Sequence, residues 1–374
     1  MKRLITVFVI MAVAGYGYAQ SLVAPPSGNN QKAKVIQNIG PVEISVAYSS
    51  PHVHTATGTD RTGHIWGELV HYGFADQGFG VKSAPWRAGA NENTVIKFSH
   101  DVKIEGKDLK AGSYGLFLAT AKEGPWTWIF STNTGSWGSF FYNQSEDALR
   151  VDVTPKEAPF TEYLMYGFDD RQPNSATVYL QWENKRIPFK VEADVNNIYV
   201  SMMRDQLRSN IGFDYRNFSQ AANFCATNKI NLEEALTWAN RALDPTIGGR
   251  EEFNTLQAKS SVLAAMGKDA DADAVMQKAI KLPDATPLII HQYGRSLLNA
   301  GKKEKAMEVF KFNAQNHPED KFTPNVGLAR GYTAMGDTKN AIKYWEEAIK
   351  NIPENQKPFI KTYQGELDKL KSTK

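Results

Sequence analysis

The C-terminal half of the chain repeats a pattern with a period of 34 or 35 residues. Each unit holds a glycine, an alanine five positions later, a large apolar residue nine positions later, and a closing proline. The four sets are Gly267, Gly301 and Gly336; Ala272, Ala306 and Ala341; Met276, Phe310 and Trp345; Pro283, Pro318 and Pro353. A unit this short buries little surface alone, so the period predicts stacked copies of one supersecondary unit.

The residue types favour two helices per unit. A small alanine allows close helix packing, a bulky residue fills the groove between units, and glycine allows a tight turn. The pattern resembles the tetratricopeptide repeat, which has two helices in about 34 residues. The resemblance covers 213–353, including a weaker first unit at "NLEEALTWANRALDP", and 354–374 is predicted as a cap helix. It implies a surface that binds a protein or peptide partner.

Residues 33–194 show short β-rich segments separated by turn residues, with no helical period between them. Seven or more such segments favour an antiparallel β-sandwich. The predicted strands are 42–49, 94–100, 113–120, 126–132, 162–168, 176–182 and 186–192. The predicted fold is therefore multidomain β + α: an N-terminal antiparallel β-sandwich, a linking helix over 195–212, and a C-terminal α-helical tetratricopeptide-like solenoid.

The first 19 residues have the pattern of a secretory signal peptide. Lys2 and Arg3 precede a short apolar segment, and small residues precede a cleavage site between Ala19 and Gln20. Residues 20–32 are predicted as a flexible leader, since they are rich in Pro, Gly and Asn. We expect a periplasmic or secreted protein with no transmembrane segment in the mature chain.

Charge and cysteine content exclude some classes of function. The net charge of +3 falls to +1 without Lys2 and Arg3, and no basic cluster suggests nucleic acid as a partner. The single cysteine, Cys225, lies in an apolar helical context and is expected to be buried and structural.

The segment "PWRAGANENT" begins a recognisable series of motifs. It is followed by the turn "GKDLKAGSY" at 106–114 and by "TWIFSTNTGSWGSFFYN" at 127–143. Together these motifs resemble the secreted bacterial domain-of-unknown-function family numbered twenty-nine eleven, over about 33–192. The resemblance implies an exported β domain, often followed by helical repeats, and no established activity.

The same segment supplies the ligand-binding candidates. Arginine offers a fork of donors, asparagine offers donors and an acceptor, and glutamate accepts, so the loop is able to hold a carboxylate or sugar hydroxyls. The candidates are Trp86, Arg87, Asn91 and Glu92, with Arg61 from the preceding loop. The alternative is structural: Arg87 pairs with Glu92 and holds the loop beneath Trp86.

Two further patterns each leave two interpretations. His52 and His54 point the same way in an extended chain, which suits a metal ion if a third ligand joins them and exposed surface histidines otherwise. Trp126, Trp128 and Trp137 form either a stacking platform for sugar rings or part of the sandwich core. No cofactor is predicted.

These patterns favour an exported binding or scaffold protein. The repeats would bind a protein or peptide partner, and the β domain a small ligand or glycan. The alternative is a periplasmic hydrolase or metal-dependent enzyme with its site on the loop 50–92, where Glu92 and the histidines lie.

Overall fold

The computed structural model describes residues 30–55 and 57–372. The chain divides into two compact units between Val195 and Asn196, which we call the β domain and the helical unit. The predicted signal peptide and the leader up to residue 29 lie outside the described residues.

The β domain consists of two antiparallel sheets. The larger sheet has the strand order β1-β2-β3-β6-β7-β8 and the smaller has β5-β4-β10-β9. The strands are β1 (Gln31–Ile39), β2 (Val42–Ser50), β3 (Thr94–Phe98), β4 (Val102–Ile104), β5 (Lys107–Leu109), β6 (Gly112–Ala119), β7 (Trp126–Ser131), β8 (Asp147–Val153), β9 (Lys156–Gln172) and β10 (Ser175–Glu192). The predicted β fold is confirmed.

The core between the sheets is rich in aromatic side chains. Trp128 and Phe130 on β7 are fully buried and both pack edge-on against Phe189 of β10. Trp126 is also buried, whereas Trp137 lies in a later loop and is 40% exposed. The core interpretation of the β7 tryptophans is therefore confirmed, and the three rings form no shared sugar-binding platform.

Several strand boundaries differ from the predicted ones. The segments 176–182 and 186–192 form one strand, β10, because Glu183 takes a left-handed conformation (φ 51°) at an irregularity without ending the pairing. The edge strands β1 and β8 were not predicted, since most of their residues are exposed or half-buried and many are polar. Gln31 and Lys32, assigned to the leader, begin β1.

The helical unit consists, within the described residues, of ten α-helices. They are α1 (Val195–Gln206, of which only Val195 falls in the β domain), α2 (Tyr215–Asn228), α3 (Leu232–Leu243), α4 (Phe253–Ala265), α5 (Asp269–Ala279), α6 (Pro287–Asn299), α7 (Lys303–Asn316), α8 (Thr323–Met335), α9 (Thr338–Lys350) and α10 (Ile360–Ser372). Consecutive helices from α2 to α9 pack as pairs, and α10 packs on α9. This is the predicted helical repeat arrangement.

The repeated residues have the packing roles that the pattern predicts. Phe310 is fully buried, and a Cβ placed on Gly294 of α6 or Gly327 of α8 would come within 2.3 and 2.6 Å of its ring. The two glycines therefore form the depression that holds the ring. Gly301 has a φ of 74° between α6 and α7, as its turn requires. Cys225 is buried, and burial raises the pKa of its thiol.

No helix among the described residues is both long and apolar enough to cross a membrane.

His291 on α6 makes the stability of the helical unit depend on pH. Burial, and then the nearby charges of Arg330 and Arg295, lower the pKa of its imidazole from 6.5 to about 4. Between pH 6.5 and about pH 4, the imidazole of His291 is therefore protonated in the unfolded chain but neutral in the folded chain. We expect the free energy of unfolding to fall by up to about 3 kcal/mol as the pH is lowered from 7 to 4.

Thermal melts of the chain and of His291→Gln at a series of pH values check this expectation. The substitution removes the titrating group, so the melting temperature of the helical unit should depend less on pH in the variant. Equal pH dependence in the two proteins would contradict the assignment to His291.

Candidate functional site

The loop 85–93, which carries the "WRAGANE" motif, is held in place by hydrogen bonds from both sheets. The Ala88 carbonyl accepts hydrogen bonds from the hydroxyls of Thr94 (3.1 Å) and buried Tyr166 (2.8 Å). Ala88 and Asn91 both adopt left-handed backbone conformations (φ 48° and 57°). Such conformations cost about 1–3 kcal/mol each for residues other than glycine, and they concentrate at functional sites. The loop is thus a fixed platform for its side chains.

Arg87 is the most unusual side chain of this loop. Its guanidinium is half-buried, donates one hydrogen bond to the Asn91 carbonyl, and lies over the ring of Phe140 at 5.1 Å. It forms no ion pair with any carboxylate among residues 30–55 and 57–372. Burial alone lowers the pKa of Arg87, without a compensating negative charge. A cation in this setting can accept an anionic partner.

Gly138, in the opposite loop, leaves the space that this guanidinium occupies. A Cβ on Gly138 would lie 2.3 Å from the Arg87 Cζ, and Gly138 also has a left-handed φ of 57°. Only glycine meets both demands. The next residue, Ser139, donates from its hydroxyl to the Pro85 carbonyl (2.6 Å) and so ties the two loops together.

Asn91 and Glu92 serve the loop and do not join Arg87 as a cluster. The side-chain amides of Asn91 and Asn30 contact each other at 3.2 Å, which anchors the start of β1. Glu92 pairs with Lys32 (2.9 Å), and this contact lowers the pKa of its carboxyl. The predicted Arg87–Glu92 pair is therefore not formed, because Lys32 occupies the carboxylate instead.

A cavity of about 280 Å³ lies beside Arg87. It brings together three of the predicted residues, Trp86, Arg87 and Arg61, and its lining includes no aspartate or glutamate. Asn91 and Glu92 are not among the lining residues. The lining comprises Asn30, Pro51, Arg61, Leu69, Val70, His71, Gln77, Trp86, Arg87, Gly89, Ala90, Ser139 and Trp182. The cavity is thus cationic and partly aromatic.

The sequence did not single out His71, Gln77 or Trp182 for this site. They come from the loop 51–84 and from β10, and these segments meet through the packing of Trp66 against Trp86 and Trp182 and through a hydrogen bond from the Gly63 N–H to the Glu183 carboxylate. The Trp86 and Trp182 rings are nearly parallel, with their centroids 6.1 Å apart. In the sequence, only the high tryptophan content of the β domain indicates that these residues come together.

Several buried polar atoms beside the cavity have no hydrogen-bond partner within the described chain. They include Nε1 of Trp182 and Nδ1 of His71. Nε2 of His71 lies 3.4 Å from the Gln77 side-chain nitrogen. Buried polar atoms are normally satisfied, so these two are exceptions within the described chain.

His52 and His54, the predicted metal ligands, are used differently. His54 lies between Glu162 (2.7 Å) and Asp60 (3.3 Å), and the Glu162 contact raises the pKa of its imidazole. The His52 ring packs edge-on against Tyr163. No group of three His, Cys, Asp or Glu side chains in the described parts of the chain is arranged to hold a metal ion.

The β domain as described coincides with a known family. A model of the family DUF2911, described as a protein of unknown function, matches residues 30–191. Over these residues the β domain is similar to the DUF2911 family. The resemblance inferred from the motifs is thereby confirmed, and the Arg87 loop and its cavity lie wholly inside the DUF2911 region.

Comparison with other proteins adds little about function. No curated protein matches the chain. One similar solved structure is YrrB, described as a TPR protein with an unusual peptide-binding site. Its sequence is 18% identical to this chain, and the match covers 42% of this chain and 79% of YrrB, with a TM-score of 0.28.

Proposed function

We propose that this is an exported binding protein whose β domain holds a small anionic ligand in the cavity beside Arg87. The observation that carries the proposal is the half-buried Arg87 guanidinium, which forms no ion pair within the described chain and lines the cavity. A carboxylate, phosphate or sulfate group would supply the missing counter-charge. Arginine is well suited to this task because its planar fork binds such groups with two parallel hydrogen bonds.

The energetics support a ligand at this position. A buried charge without a partner costs stability, and the protein already uses Gly138, Asn91 and Phe140 to hold the guanidinium in place. Arg61 adds a second positive charge to the lining. Such preorganisation lowers the cost of binding, because the side chain loses little freedom when the anion arrives.

The arrangement supports binding rather than the alternative hydrolase. Glu92, the acid that motivated an enzyme, is paired with Lys32 and does not line the cavity. The Ser139 hydroxyl is committed to the Pro85 carbonyl. The cavity side chains therefore offer donors and apolar surface, but no acid–base pair of carboxylates.

A thermal-shift screen tests the proposal. The chain without residues 1–19 and its Arg87→Gln variant are each melted with and without simple carboxylates, phosphate and sulfate. A ligand at one hundred times its dissociation constant should stabilise the domain by about 2.7 kcal/mol. The substitution should weaken binding about 10- to 100-fold, since a hydrogen bond to a charged group contributes about 1.5–3 kcal/mol.

Arg171→Gln provides the matched control. Arg171 is exposed in the same domain and does not line the cavity, so its replacement should leave the shift unchanged. The proposal fails if no anion shifts the melt, or if the two variants respond alike.

For the helical unit we propose a protein or peptide partner with acidic residues. Arg295 of α6 and Arg330 of α8 occupy equivalent positions, six residues before Gly301 and Gly336. Neither arginine forms an ion pair in the described residues. The pKa of Arg330 is lowered, mainly by burial and then by the nearby charge of Arg295. Fluorescence anisotropy with acidic peptides should show weaker binding to Arg295→Gln; equal binding would contradict this assignment.

Export is proposed from the N-terminal pattern. Mass spectrometry of the protein from a periplasmic extract should give a chain that begins at Gln20. A full-length chain confined to the cytoplasm would contradict export.

A further inference from the structure

An aromatic rim lies next to the cavity, and its residues are not among those that line it. Phe79 is 82% exposed and packs edge-on against Phe140, with the ring centroids 5.7 Å apart. Phe140 in turn lies beneath the Arg87 guanidinium. Phe141, the next residue, is 58% exposed. We call Phe79, Phe140 and Phe141 the aromatic rim.

The rim and the cavity are built by the same two loops. Gln77 lines the cavity and precedes Phe79 by two residues, while Ser139 lines the cavity and directly precedes Phe140. Leu69, which also lines the cavity, is 48% exposed and marks its open side. A ligand whose anionic group reaches Arg87 would therefore extend onto the rim.

The backbone conformation of Phe79 is unfavourable for an exposed aromatic residue, which indicates a binding role for its ring. It sits at a tight turn, closed by a bridge between Gly78 and Val81, with a left-handed φ of 50° between two glycines that also have positive φ. A bulky residue is unfavourable in this conformation, and an exposed phenyl ring gains nothing from burial. Strained loop tips that present apolar groups are typical of binding surfaces.

The chemistry of the lining indicates what kind of ligand fits. A fatty acid would require a largely apolar wall, but Asn30 and Gln77 bring side-chain amides to the cavity. Amides pair with ligand hydroxyls as both donors and acceptors. Flat aromatic rings cover the apolar face of a sugar ring, and Arg87 suits a sugar carboxylate.

We propose that the cavity and the aromatic rim together bind an acidic glycan, with one carboxylated sugar in the cavity and a neighbouring sugar on the exposed ring of Phe79. This inference rests on the proposed anion site at Arg87 and adds the class of ligand.

Calorimetric titration of the chain without residues 1–19 tests the inference. The probes are galacturonate, trigalacturonate, its methyl ester, glucuronate, a hyaluronan tetrasaccharide and triglutamate. At least one acidic oligosaccharide should bind about 10-fold or more tightly than its acidic monosaccharide, because only the longer chain buries the rim. The uncharged methyl ester should not bind.

Phe79→Asn separates the rim from the cavity. Asparagine tolerates the left-handed conformation, so the turn should persist in the variant. The variant should lose the preference for the oligosaccharide and keep the affinity for the monosaccharide. Phe213→Asn, at a 90% exposed phenylalanine of the helical unit, is the matched control and should bind like the unchanged protein.

The glycan inference is wrong if neither acidic oligosaccharide binds more tightly than its acidic monosaccharide. It is also wrong if triglutamate binds as tightly as the acidic oligosaccharides, or if Phe79→Asn still binds the oligosaccharide more tightly than the monosaccharide. In those cases an Arg87-dependent response to simple anions would still uphold the anion site. If no anion depends on Arg87, the proposed function itself is wrong.

Discussion

Replacing Phe310 with alanine is expected to lower the free energy of unfolding of the helical unit by about 3–5 kcal/mol. The ring is fully buried in a depression formed by Gly294 and Gly327. Glycines have no side chains that could move into the vacated space, so the substitution leaves a cavity between α6, α7 and α8. The cost therefore includes both lost apolar burial and lost packing contacts.

Urea unfolding followed by far-ultraviolet circular dichroism measures this effect, since the helices dominate that signal. Phe359→Ala is the control, because Phe359 is 56% exposed and precedes α10. Its replacement should change the free energy of unfolding by less than about 1 kcal/mol. A similarly small effect of Phe310→Ala would show that the repeat packing is wrong.

Replacing Gly138 with alanine is expected to weaken anion binding about 10- to 100-fold, which is as much as the loss of the Arg87 charge-assisted hydrogen bonds. The new Cβ would overlap the guanidinium, whose Cζ lies 2.3 Å from its position. The overlap involves only the end of the Arg87 side chain, so the guanidinium would be displaced from its position while the domain stays folded. The left-handed backbone adds a stability cost of about 1 kcal/mol.

Gly135→Ala is the matched control in the same loop. A Cβ on Gly135 meets no atom within 4 Å, so both affinity and stability should stay unchanged. Titration of the anion that gives the largest thermal shift compares the two variants. Unchanged affinity in Gly138→Ala would mean that the Arg87 position is unimportant for binding.

The fold class and the helical repeats were predictable because their physical signals are periodic. Ala306 and Phe310 recur at fixed offsets from Gly301, and the alternation at Trp126 and Trp128 identifies a buried strand. Edge strands such as β1 were missed, because an edge strand buries few residues and lacks a clear apolar alternation.

The candidate site was predictable only in part. Trp86, Arg87 and Arg61 stood out from local composition, and they do line the cavity. Trp182 is about a hundred residues away in sequence and joins them only through sheet packing. Glu92 looked like a partner of Arg87, but the pairing of β1 with β2 brings Lys32 to it instead.

Calorimetric comparison of the unchanged protein with Arg87→Gln, using the anion that gives the largest thermal shift, tests the central claim most directly. We expect one binding site per chain and a dissociation constant that rises at least about 10-fold in the variant, from the loss of charge-assisted hydrogen bonds. Equal dissociation constants in the two proteins would contradict it, because the anion would then bind without the Arg87 guanidinium.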